Sequence, residues 1–307
     1  MTIDGPFAVE PDDLAEPLAA AVLAPRWLTT VSAGNADAAR KAARRLAKLH
    51  EGAAYDPQAD AVFYPRGKPK RVPAAKPEKT SIVRLEWYLS AERWPAAPAE
   101  LVATLARRCP ETLPTRYGDF EPLRERYDPE QPDAFFDFAR ADSTFWFSSR
   151  PSFGGHAIPP HRLGIDVDWR VLETDARWRE AVAGLFAAAA GALGAFYAEC
   201  WVEPGWNVSR NNRLSIAAGR KTRAAAVGRD GWTGLPAEPA WLAWFGGEYR
   251  APVAAALDGG APMRKGLRWV TPEITVHDEG LCVRLGKQPR AKLPALPLLP
   301  ELLTPRD

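Results

Sequence analysis

Apolar and polar positions alternate between residues 82 and 89. Val83, Leu85, Trp87 and Leu89 fall on one side, and Arg84, Glu86 and Tyr88 on the other. A period of two predicts a half-buried strand. The pattern is clearest at 163–171, where Leu163, Ile165, Val167, Trp169 and Val171 alternate with Gly164, Asp166, Asp168 and Arg170. A further strand is predicted at Ser143–Ser149. Elsewhere the period lengthens. Residues 97–108 read as a short helix with Pro98 near its first turn. Residues 176–198 read as a longer one, with Trp178, Val182, Leu185, Phe186, Ala189, Leu193, Phe196 and Tyr197 on one stripe and Thr174 or Asp175 as its cap. A strand is expected over Tyr197–Val202.

The order strand, helix, strand, strand, helix, strand predicts an α+β protein built on a split βαββαβ (ferredoxin-like) antiparallel sheet. Two helices would cover one sheet face and leave the other partly open. Arg84 and Glu86 would then share the open face with Asp166, Asp168 and Arg170. That makes a patch of mixed sign, suited to meeting a protein partner.

Both flanks differ from this core. Residues 9–50 read as largely helical. Within them, ADAARKAARRLAKLH (36–50) sets Ala39, Ala43, Leu46 and Leu49 along one side and Arg40, Lys41, Arg44, Arg45 and Lys48 on the other. A short strand is expected at 61–64. The stretch PRGKPKRVPAAKPEKT (65–80) holds four prolines, six basic residues and no aromatic residue, which is a linker composition. Residues 1–78 are therefore expected to be a helical N-terminal region with a Pro/Lys-rich linker, and 79–307 an α+β domain with a C-terminal β/aromatic extension. In that extension, WTGLPAEPAWLAWFGGEYRAPVAAAL (232–257) carries three tryptophans, a phenylalanine and a tyrosine. Trp241, Leu242, Phe245 and Tyr249 fit a short amphipathic helical turn, and Pro252 can open a second helix through Leu257. The rings are expected to close a core, and strands are predicted at 267–276 and 280–285.

Composition narrows the function classes. The chain has 307 residues, 46% apolar and 25% charged, with net charge +2. So even a balance gives no reason to expect nucleic acid, which needs a clustered basic surface, and the linker has no aromatics to stack bases. Thirty prolines argue against many long helices. Cys109, Cys200 and Cys282 are far apart, with no CxxC pair, which fits a reducing cytoplasm rather than a disulfide framework or cysteine zinc site. The acidic start MTIDGPFAVEPDDLAEPL does not read as a secretory signal, and the apolar run near 181–198 reads as a core helix rather than a membrane span. A cytoplasmic protein without cofactor is expected.

The chemical candidates are few. GxxxxGK[ST], HExxH and GxSxG are absent from the sequence, and histidines occur only at 50, 156, 161 and 277. His156 and His161, in SFGGHAIPPH, could join Asp166 or Asp168 in a two-histidine, one-carboxylate metal set. The opposing reading is a hairpin loop, stiffened by Pro159-Pro160, with surface histidines and no metal. Asp166 and Asp168 could also pair for acid–base work, since side chains two apart on a strand lie roughly 7 Å from each other. Arginines expected beside them, Arg84 and Arg170, hold a carboxylate ionised, the opposite of what a general acid needs. An enzyme of unfamiliar type using His156, His161, Asp166 and Asp168 is the alternative to a recognition patch. Arg116 and Tyr117 lie in LPTRYGDFEPL (113–123), either a packed connection or a loop at an interface.

LPTRYGDFEPL, FWFSSRPSFGG (145–155) and GLPAEPAWLAWFGGEY (234–249) together resemble the immunity proteins of bacterial polymorphic toxin systems, in particular the immunity protein 52 family. The run P-x-WL-x-W-x-G is also similar to that of type VI secretion immunity proteins. The resemblance covers about 80–257 and rests on aromatic and turn motifs. It implies a cytoplasmic protein that binds and neutralises a cognate toxin and that carries no catalytic residues. The partner-facing residues would be Arg84, Glu86, Asp166, Asp168, Arg170, Arg116 and Tyr117.

Overall fold

The computed structural model describes residues 2–8, 27–50, 52–56, 61–63, 78–119, 123, 125–208, 214–217, 227–228, 231–232, 234–236, 238–258 and 272–290. Most of the expected linker lies outside these residues, as do 9–26 and the start of the strand expected at 267–276. The described residues fall into two units, one within Met1–Pro77 and the other within Glu78–Val208 and Asn212–Asp307.

In the first unit, β1 (Thr2–Ala8) pairs antiparallel with β2 (Trp27–Ser32). Helix α1 (Ala36–Leu49) follows, capped by the Asn35 side chain, which accepts from the backbone amides of Asp37 and Ala38. Strands β3 (Ala54–Asp56) and β4 (Ala61–Phe63) form a second ladder. The expectation of a helical N-terminal region is thus corrected. Helix α1 forms where its pattern predicts, but WLTTVS at 27–32 is a strand, as its tryptophan and β-branched residues favour.

The second unit is built on one antiparallel sheet. Strand β5 (Glu78–Tyr88) leads to α2 (Ala97–Arg108), whose second residue is Pro98. Short strands β6 (Arg116–Gly118) and β7 (Glu125–Arg126), helix α3 (Asp133–Ala141) and β8 (Thr144–Phe147) come next. Then β9 (Ser152–Ile158) and β10 (Arg162–Asp168) form a hairpin. Helices α4 (Trp169–Thr174) and α5 (Ala176–Leu193) lead into β11 (Tyr197–Val208), which also pairs with β12 (Leu214–Ile216). Strands β13 (Val227–Gly228) and β14 (Gly231–Trp232) pair with each other. Strand β15 (Leu242–Gly246), helix α6 (Arg250–Asp258), β16 (Glu273–Val276) and β17 (Gly280–Arg284) complete the unit. The sheet runs β16-β17-β15-β11-β5-β10-β9-β8-β6-β7.

The architecture is α+β. Strands β5 and β10 are direct neighbours, with Leu85 opposite Ile165 and Arg84 opposite Asp166. One sheet face carries Val83, Leu85 and Trp87, Leu163, Ile165 and Val167, and Ala198 and Cys200. It buries them against Leu101 and Leu105 of α2 and Leu185, Phe186 and Leu193 of α5. The α5 stripe buries residues spaced three and four apart, Val182, Leu185, Phe186, Ala189 and Leu193. The helix stops at Gly194, whose φ of 61° is the left-handed conformation glycine adopts freely. The chain then turns into β11 rather than remaining helical to 198.

Three expectations about this sheet are corrected. The loop expected between 149 and 163 contains a full strand, β9, with His156 in it. The strand expected to run to 171 ends at Asp168, whose carboxylate caps α4 by accepting from the Arg170 amide, so Arg170 is helical. The second sheet face is not open at its far end. Tyr88, Tyr197, Ala243, Phe245, Leu281 and Val283 are buried there beneath Tyr249 and Val253.

Residues 241–249 also differ. Leu242–Gly246 form a strand, all five residues of it buried, and only Gly247–Tyr249 make a helical turn, of the 3-10 kind. Trp241 and Trp244 join the core under the helices, while Ala243 and Phe245 join the cluster on the opposite face. The indole nitrogens are satisfied inside, Trp241 donating to the Gly286 carbonyl at 3.0 Å and Trp244 to that of Ala195 at 3.0 Å. Pro252 lies in the first turn of α6, where the pattern places a helix start.

Candidate functional site

Arg84 and Glu86 of β5, Asp166 and Asp168 of β10 and Glu199 and Glu203 of β11 share the second sheet face, because the pleat sends alternate residues there. In register, Arg84 stands opposite Asp166 on one side and Trp201 on the other. Glu86 stands opposite Gly164 and Glu199. Arg84 holds Asp166 with two parallel bonds, Nε to Oδ1 at 2.7 Å and Nη2 to Oδ2 at 2.8 Å, and reaches Glu203 Oε2 from Nη1 at 3.0 Å. Two-pronged pairing of this kind fixes orientation as well as charge. Although burial alone would lower it, the Arg84 guanidinium is pushed well above its ordinary value by Asp166 and Glu203.

One row further on lies Glu86. The Tyr88 hydroxyl donates to its Oε2 at 2.6 Å, Arg162 Nη1 stands 3.6 Å from Oε2, and His156 Nε2 stands 3.5 Å from Oε1, at the outer limit of hydrogen bonding. Burial would raise this carboxyl, but His156 first, then Arg162 and Arg84, bring it down to about 2. Glu199 sits beside it, near the hydroxyls of Tyr88 at 3.4 Å and Tyr197 at 3.3 Å. Burial, followed by the charges of Glu86 and Glu199, raises the Tyr88 phenol, which stays a donor.

Gly164 makes the His156 contact possible. It lies between His156 and Glu86 in the row, and a Cβ there would meet the imidazole Cε1 at 2.3 Å. The ring therefore crosses the space that any other residue would fill.

At the end of β10 the network reaches solvent. Asp168 is buried, but its partners are not: Arg150 and Arg170 both ion-pair with it, and their side chains are 43% and 37% exposed. Arg170 also pairs with Glu78, itself 66% exposed. The Arg170 guanidinium is raised above its ordinary value, first by the hydrogen bond to Asp168 and then by that to Glu78.

The structure thus brings Arg84, Glu86 and Asp166 into one network and puts Asp168 and Arg170 at its rim. The expectation that all five lie open to solvent is corrected: the Arg84, Glu86 and Asp166 side chains are only 17%, 5% and 13% exposed. Arg116 and Tyr117 stand apart on β6. The Tyr117 ring is buried, edge-on to Phe135 and Phe138, so it packs the core instead of an interface loop. His156 and His161 do not form a pair at the surface. His156 is buried in the network, and His161 Nδ1 lies 3.3 Å from the Leu89 carbonyl. Among the described residues no group of three or more His, Cys, Asp or Glu side chains is placed to hold a metal ion. Burial pushes the thiols of Cys109 and Cys282 up to about 11, so neither is a ready thiolate.

Glu199, Glu203, Arg150 and Arg162 were not among the candidates read from the sequence. The signal for the first two is plain in YAECWVEP: Tyr197, Glu199, Trp201 and Glu203 alternate with Ala198, Cys200 and Val202.

No protein-family model matches the chain, and no characterised protein matches it in sequence. Among solved structures, the Pseudomonas aeruginosa T6SS protein PA0821 is similar over 70% of this chain and 71% of that one, with 15% identity and a TM-score of 0.43. The functional reading therefore rests on the residues of this chain. Among the described residues no helix is long and apolar enough to cross a membrane.

Proposed function

We propose that the chain is a non-catalytic protein-binding module, an immunity protein that neutralises a cognate toxin of a bacterial polymorphic toxin system. Its sheet would be of the split βαββαβ kind. The observation that carries the reading is how the charges on the second sheet face are used. Arg84 is committed to Asp166 and Glu203, Glu86 to His156, Arg162 and Tyr88, and Asp168 to Arg150 and Arg170. A general acid or nucleophile needs a group poised to exchange a proton, whereas charges locked in opposed pairs present a fixed pattern.

The partner meets the rim of this network. Arg150, Arg170 and Glu78 are the solvent-facing members, and the buried Asp168 holds both arginines. The sequence stretches behind the immunity-protein resemblance support the same reading as scaffold. Residues 116–118 pair with 145–147, and 144–147 pair with 154–157, so two of the three stretches are neighbouring strands.

Isothermal titration of the purified chain against the inactivated product of the adjacent reading frame tests the proposal. A tight complex is expected, weakened about tenfold or more by reversing the exposed rim residue, Glu78→Lys, since like charges across an interface cost several kcal/mol. Unaltered affinity in a variant that melts like the parent rules out the rim.

A further inference from the structure

Helix α1 belongs to the first unit. Its buried side is small and apolar, with Ala39, Ala43, Leu46 and Ala47 partly or fully covered. The opposite side carries Lys41, Arg44, Arg45 and Lys48, all exposed. Their spacing of i, i+3, i+4 and i+7 puts them in one stripe about 10 Å long. Leu49, which the sequence pattern assigns to the apolar side, is 68% exposed and lies four residues on from Arg45, at the edge of the stripe.

The stripe's cations are not neutralised within the helix. The carboxylates near its start, Asp37 and Asp56, are taken by Arg40. Among the described residues, Lys41, Arg45 and Lys48 have no ion pair, and Arg44 lies over the Phe63 ring, 5.2 Å from its centroid. Four like charges three and four apart repel one another and weaken a helix by a few tenths of a kcal/mol per pair. The arrangement becomes favourable when an anionic surface faces it.

We infer that this stripe is a second interaction surface, and that its partner is an acidic protein surface. Charge complementarity selects an anionic partner. The exposed leucine beside the cations selects a protein over a phosphate backbone, because protein interfaces combine arginine with apolar anchors while phosphate contacts are polar. The inference goes beyond the toxin reading and stands on α1 alone.

The full chain is titrated by fluorescence anisotropy with three probes: a glutamate-rich peptide with interspersed leucines, a short duplex DNA, and phosphatidylserine vesicles. The peptide is expected to bind best, more weakly as salt rises. Affinity falls about tenfold or more when Lys41, Arg45 and Lys48 are all changed to Glu. Leu49→Ala weakens the peptide several-fold and leaves any DNA binding unchanged. Circular dichroism and thermal melting show each variant still folded, because Lys41→Glu and Lys48→Glu stand three and four residues from the remaining Arg44, offsetting the repulsion between positions 41 and 45, and Leu49 is 68% exposed. Equal peptide affinity in parent and triple variant overturns the inference. So does stripe-dependent binding of DNA or vesicles tighter than that of the peptide. Neither result bears on whether the adjacent gene product binds the rim of the sheet network.

Discussion

The imidazole of His156 reaches Glu86 only because residue 164 has no side chain. Gly164→Ala would place a methyl group within 2.3 Å of the ring. The ring must then move, and a loss of about 1–3 kcal/mol is expected in a denaturant titration, the usual range for an overpacked site. Glu86 contributes to the acid sensitivity of the fold. Its folded-state value of about 2 lies below the ordinary 4.5, so its contribution is complete above pH 4.5 and is lost as pH falls from 4.5 toward 2. Glu86→Gln should therefore flatten the fall in urea midpoint between about pH 5 and about pH 3. Asp166→Lys leaves Arg84 facing a second cation in a half-closed site, so a stability loss of about 3–5 kcal/mol is expected, and not the near-neutral effect of an exposed reversal. The alternation of Arg84, Glu86, Asp166 and Asp168 was legible in the sequence. Their burial was not, because periodicity gives the face of a strand and not what lies over it.

Strands buried on one face announce themselves by alternation, as β5 and β10 do. Strand β15 is buried on both, and LAWFG is a continuous apolar run whose spacing also fits a helical turn. Its flanking Gly234, Pro236 and Pro239 and its rings favour a strand, and the core on either side decides it. Trp241 is fully buried, hydrogen-bonded to Gly286 and covered by the Arg284 guanidinium 5.5 Å from its ring centroid. Trp241→Ala is expected to cost about 3–5 kcal/mol in thermal melts. A melt equal to the parent's would show that the ring does not seal the core. Strand β9 was hidden for a different reason. Its FGGH segment reads as a turn, but the glycines at 154 and 155 accommodate the Trp146 backbone and ring. Glycine inside a strand marks close approach as well as a turn.

At the scale of the whole molecule, the sequence separates a regular α+β region from an N-terminal stretch of different character. The helices of that region, at 97–108 and from 176, follow from their apolar stripes. The ends of the sheet do not, because β6, β7 and β16 are only two to four residues long and too short to show a period. The central claim is that the sheet gathers charged residues in order to recognise a protein. The most direct measurement is growth of bacteria expressing the toxic product of the adjacent reading frame, with or without this chain. The account predicts that the parent chain restores growth and that a variant with the exposed rim residue changed, Glu78→Lys, expressed and folded to the same level, restores it less or not at all. Growth that stays arrested in the presence of abundant folded parent chain would contradict it.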